Sequence, residues 1–262
     1  EIQYFLGANS PTGFYSLYSE LLPPETASVI YILKGGPGCG KSTLMRQVAQ
    51  QAAQAGETVE YILCSADPDS LDAVVLPRLG AALVDGTAPH VVEPKYPGAV
   101  EQYVNLGDCY DRAGLRAIRG EILTCMDGYK EHYQRAYRCL DAAAEIQTDV
   151  RAMLATPALE AARAHGILSR ELKPKRSAPS GRVKQRFLDA VSHKGLITLF
   201  QTACAQCTRI YELSDSYGLA HLLLTHLLAG GVMGGYDVVA CPDPMAPDRL
   251  SHLLVPEVGL AF

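Results

Sequence analysis

Two stretches of the chain, about 180 residues apart, carry the same order of local signals. That recurrence restricts the fold more than any other feature of the sequence. YFLGANSPTGFYSLY (Tyr4 to Tyr18) matches RFLDAVSHKGLITLF (Arg186 to Phe200) in its Phe-Leu, an Ala, a Gly and a following Leu. YILKGGPGCGKSTLMRQ lies over YELSDSYGLAHLLLTHL, and EYILCSADPDSLDAVVLPRLGAAL over DVVACPDPMAPDRLSHLLVPEVGLAF with a small gap. Asp69 and Asp248, Pro77 and Pro256, and Gly80 and Gly259 fall in register. A chain of 262 residues has room for one large α/β domain or two small ones, and the repeat points to a duplicated domain.

Within the first copy, VIYILKGG (Val29 to Gly36) is an apolar, β-branched run that stops at glycines, the pattern of a buried parallel strand. KSTLMRQVAQQAAQAG then reads as a helix, with Leu44, Val48 and Ala52 at helical spacing and Gly56 as its stop. TVEYILCS reads as a second strand and AALVDG as a third; LDAVVLPRLG between them is expected to be a short helix or an irregular connection ended by Pro77. This alternation predicts an α/β fold with a mostly parallel sheet and crossover helices. From about Val100 to Leu172 the composition turns to Ala, Glu, Arg, Gln and Tyr, with breaks near Gly107, Gly114, Gly128, Pro157 and Gly166. The expected organisation is a nucleotide-binding half over 1–99 and an inserted helical hairpin or bundle over 100–172. A linker over 173–185 and a second, degenerate half over 186–262, which reads as incomplete, follow. The helical insertion is read as a structural cover or oligomer contact in preference to a substrate lid.

Gly35 to Ser42, GGPGCGKS, satisfies G-x-x-x-x-G-K-[ST] and sits between a predicted strand and a predicted helix, the context that motif requires. In such a P-loop (Walker A) cradle, successive backbone N–H groups turn toward phosphate oxygens, and glycines permit the close approach. Gly35, Gly36, Pro37, Gly38, Cys39 and Gly40 would line it. Lys41 would bridge the β- and γ-phosphates, Ser42 would ligate Mg2+, and Thr43 would lie at the α-phosphate. In the second copy His221 stands at Lys41, Leu222 at Ser42, and Ser214, Asp215 and Ser216 at Lys34, Gly35 and Gly36; only Gly218 survives, opposite Gly38. An aspartate repels phosphate, a leucine cannot hold magnesium and a neutral histidine is no dependable cation, so the second cradle is expected not to bind Mg-nucleotide.

A magnesium site commonly has a second carboxylate. Asp85, after the apolar strand AALV, is the candidate, against the competing reading of a turn aspartate before Gly86. Asp67 and Asp69 in CSADPDSLD stand at the end of the second strand, where they could hold a substrate hydroxyl or a water, or could equally cap a following helix. His90 could orient a γ-phosphate or be an ordinary loop histidine; Glu93 could polarise an attacking water. Cys39 reads either as an oxidisable residue within the loop or as a small filler. Cys204 and Cys207 form a single CxxC, without the second pair or histidines a zinc site usually needs.

Net charge is −5 with a pI near 5.8, which argues against a broad basic surface for nucleic acid. The one basic cluster, Lys173 to Arg186, is broken by Pro, Ser and Gly and reads as a solvated linker. No apolar run approaches the roughly 20 residues of a membrane span, and EIQYFLGANS lacks the order of a secretory signal, so a cytoplasmic protein with reduced cysteines is expected.

Taken together, FLGANSPTGFYSLY, ILKGGPGCGKSTLM, CSADPDSLDAVVLP and LVDGTAPHVVEPKYPGAVEQYVNLG resemble a poorly characterised bacterial family of tandem P-loop ATPase-like proteins, over nearly the whole chain. Both halves of that family commonly carry a Walker A loop, and the family is longer at its C-terminus. The resemblance implies ATP binding without implying a pathway. GGPGCGKST and VDGTAP are also similar to elements of nucleotide kinases, and Asp67-Pro68-Asp69 to the D-x-D of small-molecule kinases, although paired arginines and a recognisable lid are not evident. The expectation is therefore a P-loop NTPase hydrolysing MgATP at one live site, with Lys41 and Asp85 catalytic and Ser42 and Asp85 on the metal. The alternatives are a kinase and a non-hydrolysing nucleotide-gated switch or scaffold. The halves would pair within one chain as a pseudo-dimer or be completed in a homodimer.

Overall fold

The computed structural model describes residues 1–154 and 157–262. In the first half, strand β1 (Ile2–Phe5) runs into a hairpin of β2 (Gly7–Ser10) and β3 (Gly13–Ser16), followed by β4 (Val29–Lys34) and helix α1 (Lys41–Gln54). Then come β5 (Glu60–Leu63), β6 (Leu71–Leu76), β7 (Ala81–Asp85) and β8 (Glu101–Asn105). These build a six-stranded sheet in the order β1-β5-β6-β7-β4-β8. β4 lies between parallel neighbours β7 and β8, and β1 is parallel to β5. Helix α1 buries Met45 and Ala49 against this sheet, with Leu44, Val48 and Ala52 packed beside them.

One predicted element is corrected. Leu71–Leu76 is neither helix nor irregular: it is strand β6, buried at every position and antiparallel to both β5 and β7. A six-residue apolar run with paired valines is too short for a helix and suits a strand covered on both faces, and periodicity alone does not separate the two. Residues 101–105, which the sequence reading groups with the helices, form the strand beside β4.

Helices α2 (Arg112–Ala117), α3 (Arg119–Leu154) and α4 (Pro157–Glu171) follow. Pro157, read as a break, is the first residue of α4, and residues 155 and 156 before it lie outside the described residues. At 1.5 Å per residue, the 36 residues of α3 reach about 54 Å. The expected linker is partly docked. Lys175 pairs with Glu257 at 2.6 Å, the backbone and guanidinium of Arg182 both bind Asp237, and Val183–Gln185 is strand β9.

The second half contains a hairpin of β10 (Asp189–Ser192) and β11 (Gly195–Thr198), then α5 (Phe200–Gln206), β12 (Arg209–Ile210) and α6 (Ala220–Met233). β13 (Val238–Asp243), β14 (Ala246–Val255) and β15 (Leu260–Ala261) complete a sheet ordered β12-β15-β14-β13-β9. Starting from β4 and β12, the strands leading toward α1 and α6, the two sheets run β4-β7-β6-β5-β1 and β12-β15-β14-β13-β9 with the same senses of pairing. Ala164 and Leu168 of helix α4, and Leu172 just past its end, pack into the cluster that includes Leu223, Leu224 and Leu227 of α6.

The halves meet through equivalent residues. Phe5 and Phe187 exchange backbone hydrogen bonds of 2.9 Å each, and Asn9 Nδ2 donates to the carbonyl of its counterpart Val191 at 2.8 Å. One hydrophobic core runs from Tyr4, Phe5 and Ile32 through Phe187 and Leu188 to Cys241 and Leu254, so each half covers the other. Buried Arg186 crosses the seam, donating to the carbonyls of Glu20 (2.7 Å) and Leu21 (3.0 Å) and lying 3.5 Å from Glu60. Among the described residues, no helix is long and apolar enough to cross a membrane.

Candidate functional site

The loop between β4 and α1 begins at the C-terminal end of an interior strand, so its backbone groups leave the ladder together. Gly38 and Gly40 take φ of +76° and +88°, the left-handed region that glycine enters at least cost. Gly40 is the N-cap of α1 without any side-chain cap, so the free N–H groups and positive end of a 14-residue helix face the loop. Lys41 is buried and folded back into it, with Nζ 2.5 Å from the Gly35 carbonyl oxygen, 2.9 Å from that of Gly36, 3.7 Å from Cys39 Sγ and 3.4 Å from Asp85 Oδ2.

Asp85 ends β7, paired in register with Leu33 of β4, and this places its carboxylate beside Lys41. Oδ1 accepts from the Thr87 backbone N–H (2.9 Å) and hydroxyl (2.5 Å), which fixes the carboxylate and leaves Oδ2 toward the lysine. Ser42 Oγ accepts from the Leu71 N–H at 3.0 Å, tying α1 to the start of β6. Thr43 is exposed at the mouth.

These groups line a cavity of about 830 Å³. It extends from Pro37 through Thr43 past Asp67, Asp72, Asp85 and His90 to Cys125, Met126, Tyr129 and Tyr133 of α3. The cavity-facing residues of α3 recur at helical spacing, and Tyr129, Tyr133 and Tyr137 form a ladder with ring centroids 4.6 and 5.8 Å apart, anchored where the Tyr137 hydroxyl donates to Asn9 at 3.1 Å. The helical segment therefore walls the cradle as well as covering the fold.

The other predicted site residues separate. Asp67-Pro68-Asp69-Ser70 is the β5–β6 hairpin turn, closed by Ser70 N–H to Asp67 O at 2.8 Å, and no helix follows for it to cap. Asp67 lines the cavity, whereas Asp69 turns to Lys194 of the second half at 2.5 Å, a bond that holds its carboxyl below the usual range. Glu93 is exposed and bonded to Lys34 and Tyr103, which lowers its carboxyl. It does not reach the cradle. His90 is buried, its Nε2 3.1 Å from Asp72 Oδ2 and its ring against Phe14 and Tyr18.

Asp72, Tyr18, Cys64 and Tyr110 escape sequence reading. Asp72 interrupts an otherwise apolar run and is buried; a charge inside such a run signals a partner, here the Tyr18 hydroxyl at 2.8 Å and His90. Burial, then the Asp72 carboxylate, push the Tyr18 hydroxyl well above its ordinary value and the neighbouring Cys64 thiol up to about 12. The Gly36 N–H donates to the Tyr110 hydroxyl, which no local pattern announces.

In the second half the corresponding loop differs in kind. The Asp215 carboxylate accepts from the N–H groups of Tyr217 (3.2 Å), Leu219 (2.9 Å) and Ala220 (2.7 Å) at the start of α6. The donors that would meet an external anion are taken by the chain's own. His221 Nδ1 lies on the Gly218 carbonyl at 3.0 Å, and Cys207 of the CxxC is buried with its thiol on the Leu260 carbonyl at 3.2 Å while Cys204 is exposed.

Searches of curated proteins and of solved structures gave no match for this chain. A family model described as Nephrocystin 3, N-terminal matches residues 16–164, which take in β4, the glycine loop, α1, the β5–β8 region and the helical segment. Since that match covers more than half of the chain, the chain belongs to the family of nephrocystin 3 N-terminal domains.

Proposed function

We propose that the protein is a P-loop nucleotide-binding protein with duplicated halves, one live nucleoside-triphosphate site at Gly35–Thr43, and a second loop that does not take nucleotide. One observation carries the reading: buried Lys41 is poised between the loop carbonyls and Asp85 at the free N-terminus of α1, beside a cavity of about 830 Å³. The lysine's ion-pair partner Asp85 stands at 3.4 Å, farther than the loop carbonyls at 2.5 and 2.9 Å. Its closest contacts are neutral carbonyls of a glycine loop, which a phosphate would displace.

The proposed reaction is hydrolysis of the β–γ bond of ATP. The loop N–H groups and Lys41 balance charge developing on phosphate oxygens, and they do so inside a site already organised before substrate arrives. Ser42 and Asp85 offer hard oxygen donors suited to Mg2+, which when bound screens the phosphate oxygens. The Thr87 bonds hold Asp85 in place for that role. In the second half Asp215 acts as an internal anion, closing the loop to phosphate by occupation as well as by repulsion.

A small-molecule or nucleotide kinase is the second reading, favoured by the tyrosine-lined wall of α3, which an attacking water does not need. Calorimetric titration with a non-hydrolysable MgATP analogue tests the common premise. One saturable site is expected, lost in Lys41→Ala and kept in His221→Ala; absence of binding in the wild type overturns it. Release of inorganic phosphate without an added acceptor then favours the hydrolase over the kinase.

A further inference from the structure

We propose that Cys64, Asp72 and His90 form a binding site for a thiophilic divalent cation, with Zn2+ the ion its donors fit best. The residues come from three separate elements: Cys64 directly follows β5, Asp72 lies within β6, and His90 stands in the loop after β7. Their ligand atoms all lie within 4.8 Å of one another, and all three residues border the cavity. Tetrahedral zinc with bonds of about 2.0–2.3 Å separates its ligands by about 3.3–3.8 Å; the His90–Asp72 pair at 3.1 Å is near that spacing, and the rest of the cluster, within 4.8 Å, would close by about 1 Å at most around the ion.

The surroundings support this assignment independently. Asp72 and His90 are both buried, on a floor made by Phe14 and Tyr18. Asp72 Oδ2 takes the Tyr18 hydroxyl and His90 Nε2, while His90 Nδ1 is buried with no hydrogen-bond partner among the described residues. Buried polar capacity of that kind is uncommon in folded proteins. The Tyr18 hydroxyl supplies the outer support that ligating carboxylates usually have.

Donor chemistry separates this site from the one proposed for magnesium. A sulfur, a nitrogen and an oxygen select zinc, whereas Ser42 and Asp85 present only oxygen. Three protein ligands leave the fourth zinc position open, and the cavity is where it would face. The inference stands on the geometry of the cluster and does not require that nucleotide bind.

The test uses the full chain stripped with a chelator and titrated with Co2+. A thiolate-to-cobalt charge-transfer band saturating at one equivalent is expected, displaced by Zn2+ and lost in Cys64→Ser. His90→Ala should weaken zinc binding by at least about tenfold. The band should persist in Cys39→Ser and in Lys41→Ala, which separates this site from the nucleotide cradle. No band in the wild type, or a band that survives Cys64→Ser, overturns the proposal. Should Cys64→Ser fail to fold, zinc-dependent protection of Cys64 from alkylation, mapped by mass spectrometry in the wild type, replaces it; equal labelling with and without zinc overturns the proposal.

Discussion

Replacing Arg186 with methionine tests whether the two halves are held together by one buried polar contact as well as by shared apolar surface. The guanidinium is 1% exposed and donates across the seam to the carbonyls of Glu20 at 2.7 Å and Leu21 at 3.0 Å, with Glu60 3.5 Å away. Each hydrogen bond to a charged group contributes about 1.5–3 kcal/mol, and methionine leaves both carbonyls without this donor. Against this, removing a buried cation relieves its own desolvation, and methionine refills most of the volume. Lys184 still pairs with Glu60, so that carboxylate is not stranded. The net loss should be about 2–4 kcal/mol, the two lost hydrogen bonds less the desolvation that removing the cation relieves. Urea unfolding of wild type, Arg186→Met, Glu60→Gln and the double variant measures it. The double-mutant cycle should show a coupling of about 1–3 kcal/mol, and, because one core spans both halves, unfolding should be a single transition. A loss below about 1 kcal/mol with additive single effects would refute the reasoning.

At Gly230 of α6 an added Cβ would lie 2.3 Å from Leu168 Cδ1 of α4, so Gly230→Ala should cost about 1–3 kcal/mol by overpacking. Thermal melts should show Leu168→Ala costing less in that background than in the wild type; equal costs would remove the clash as the cause. Burial alone would raise the Asp215 carboxyl, but the N–H groups of Ala220, Leu219, Tyr217 and Gly218 outweigh it and hold the folded value below the unfolded value of about 3.9. Its stabilisation is thus complete above that unfolded value and lost as pH falls through the folded one. Asp215→Asn should cost about 0.5–1.5 kcal/mol near neutrality, after allowance for solvent screening, and should flatten the acid limb of a stability–pH curve. An unchanged acid limb would show that the carboxylate does not hold the helix start.

The parts of the molecule legible in sequence are those whose cause is local. A β-branched run ending in glycines and a helix opening on Lys-Ser specify β4, the loop and α1, and an aspartate after the next parallel strand lands beside Lys41 because strands paired in register end together. Leu71–Leu76 was illegible because a short run buried on both faces carries no period, and its antiparallel sense follows from the turn before it. The Asp72–His90–Cys64 cluster and the Tyr110 contact to Gly36 join residues 8 to 74 positions apart, so only the folded sheet brings them together. Asp215 is legible in sequence as an acid within the second loop; that its carboxylate accepts from three N–H groups at the start of α6 requires the loop's backbone.

Phe5 and Phe187 bind each other as identical subunits do across a twofold axis, yet both belong to one chain. Dilution cannot separate such partners, since their encounter is intramolecular. The arrangement also removes a constraint that true symmetry imposes. In a pair of identical subunits every substitution is made twice, so an aspartate placed in one loop is placed in both. Here Asp215 can fill its loop while Gly35 keeps the other open. Covalent linkage thereby lets one face of a symmetric contact diverge while the other keeps its own residues.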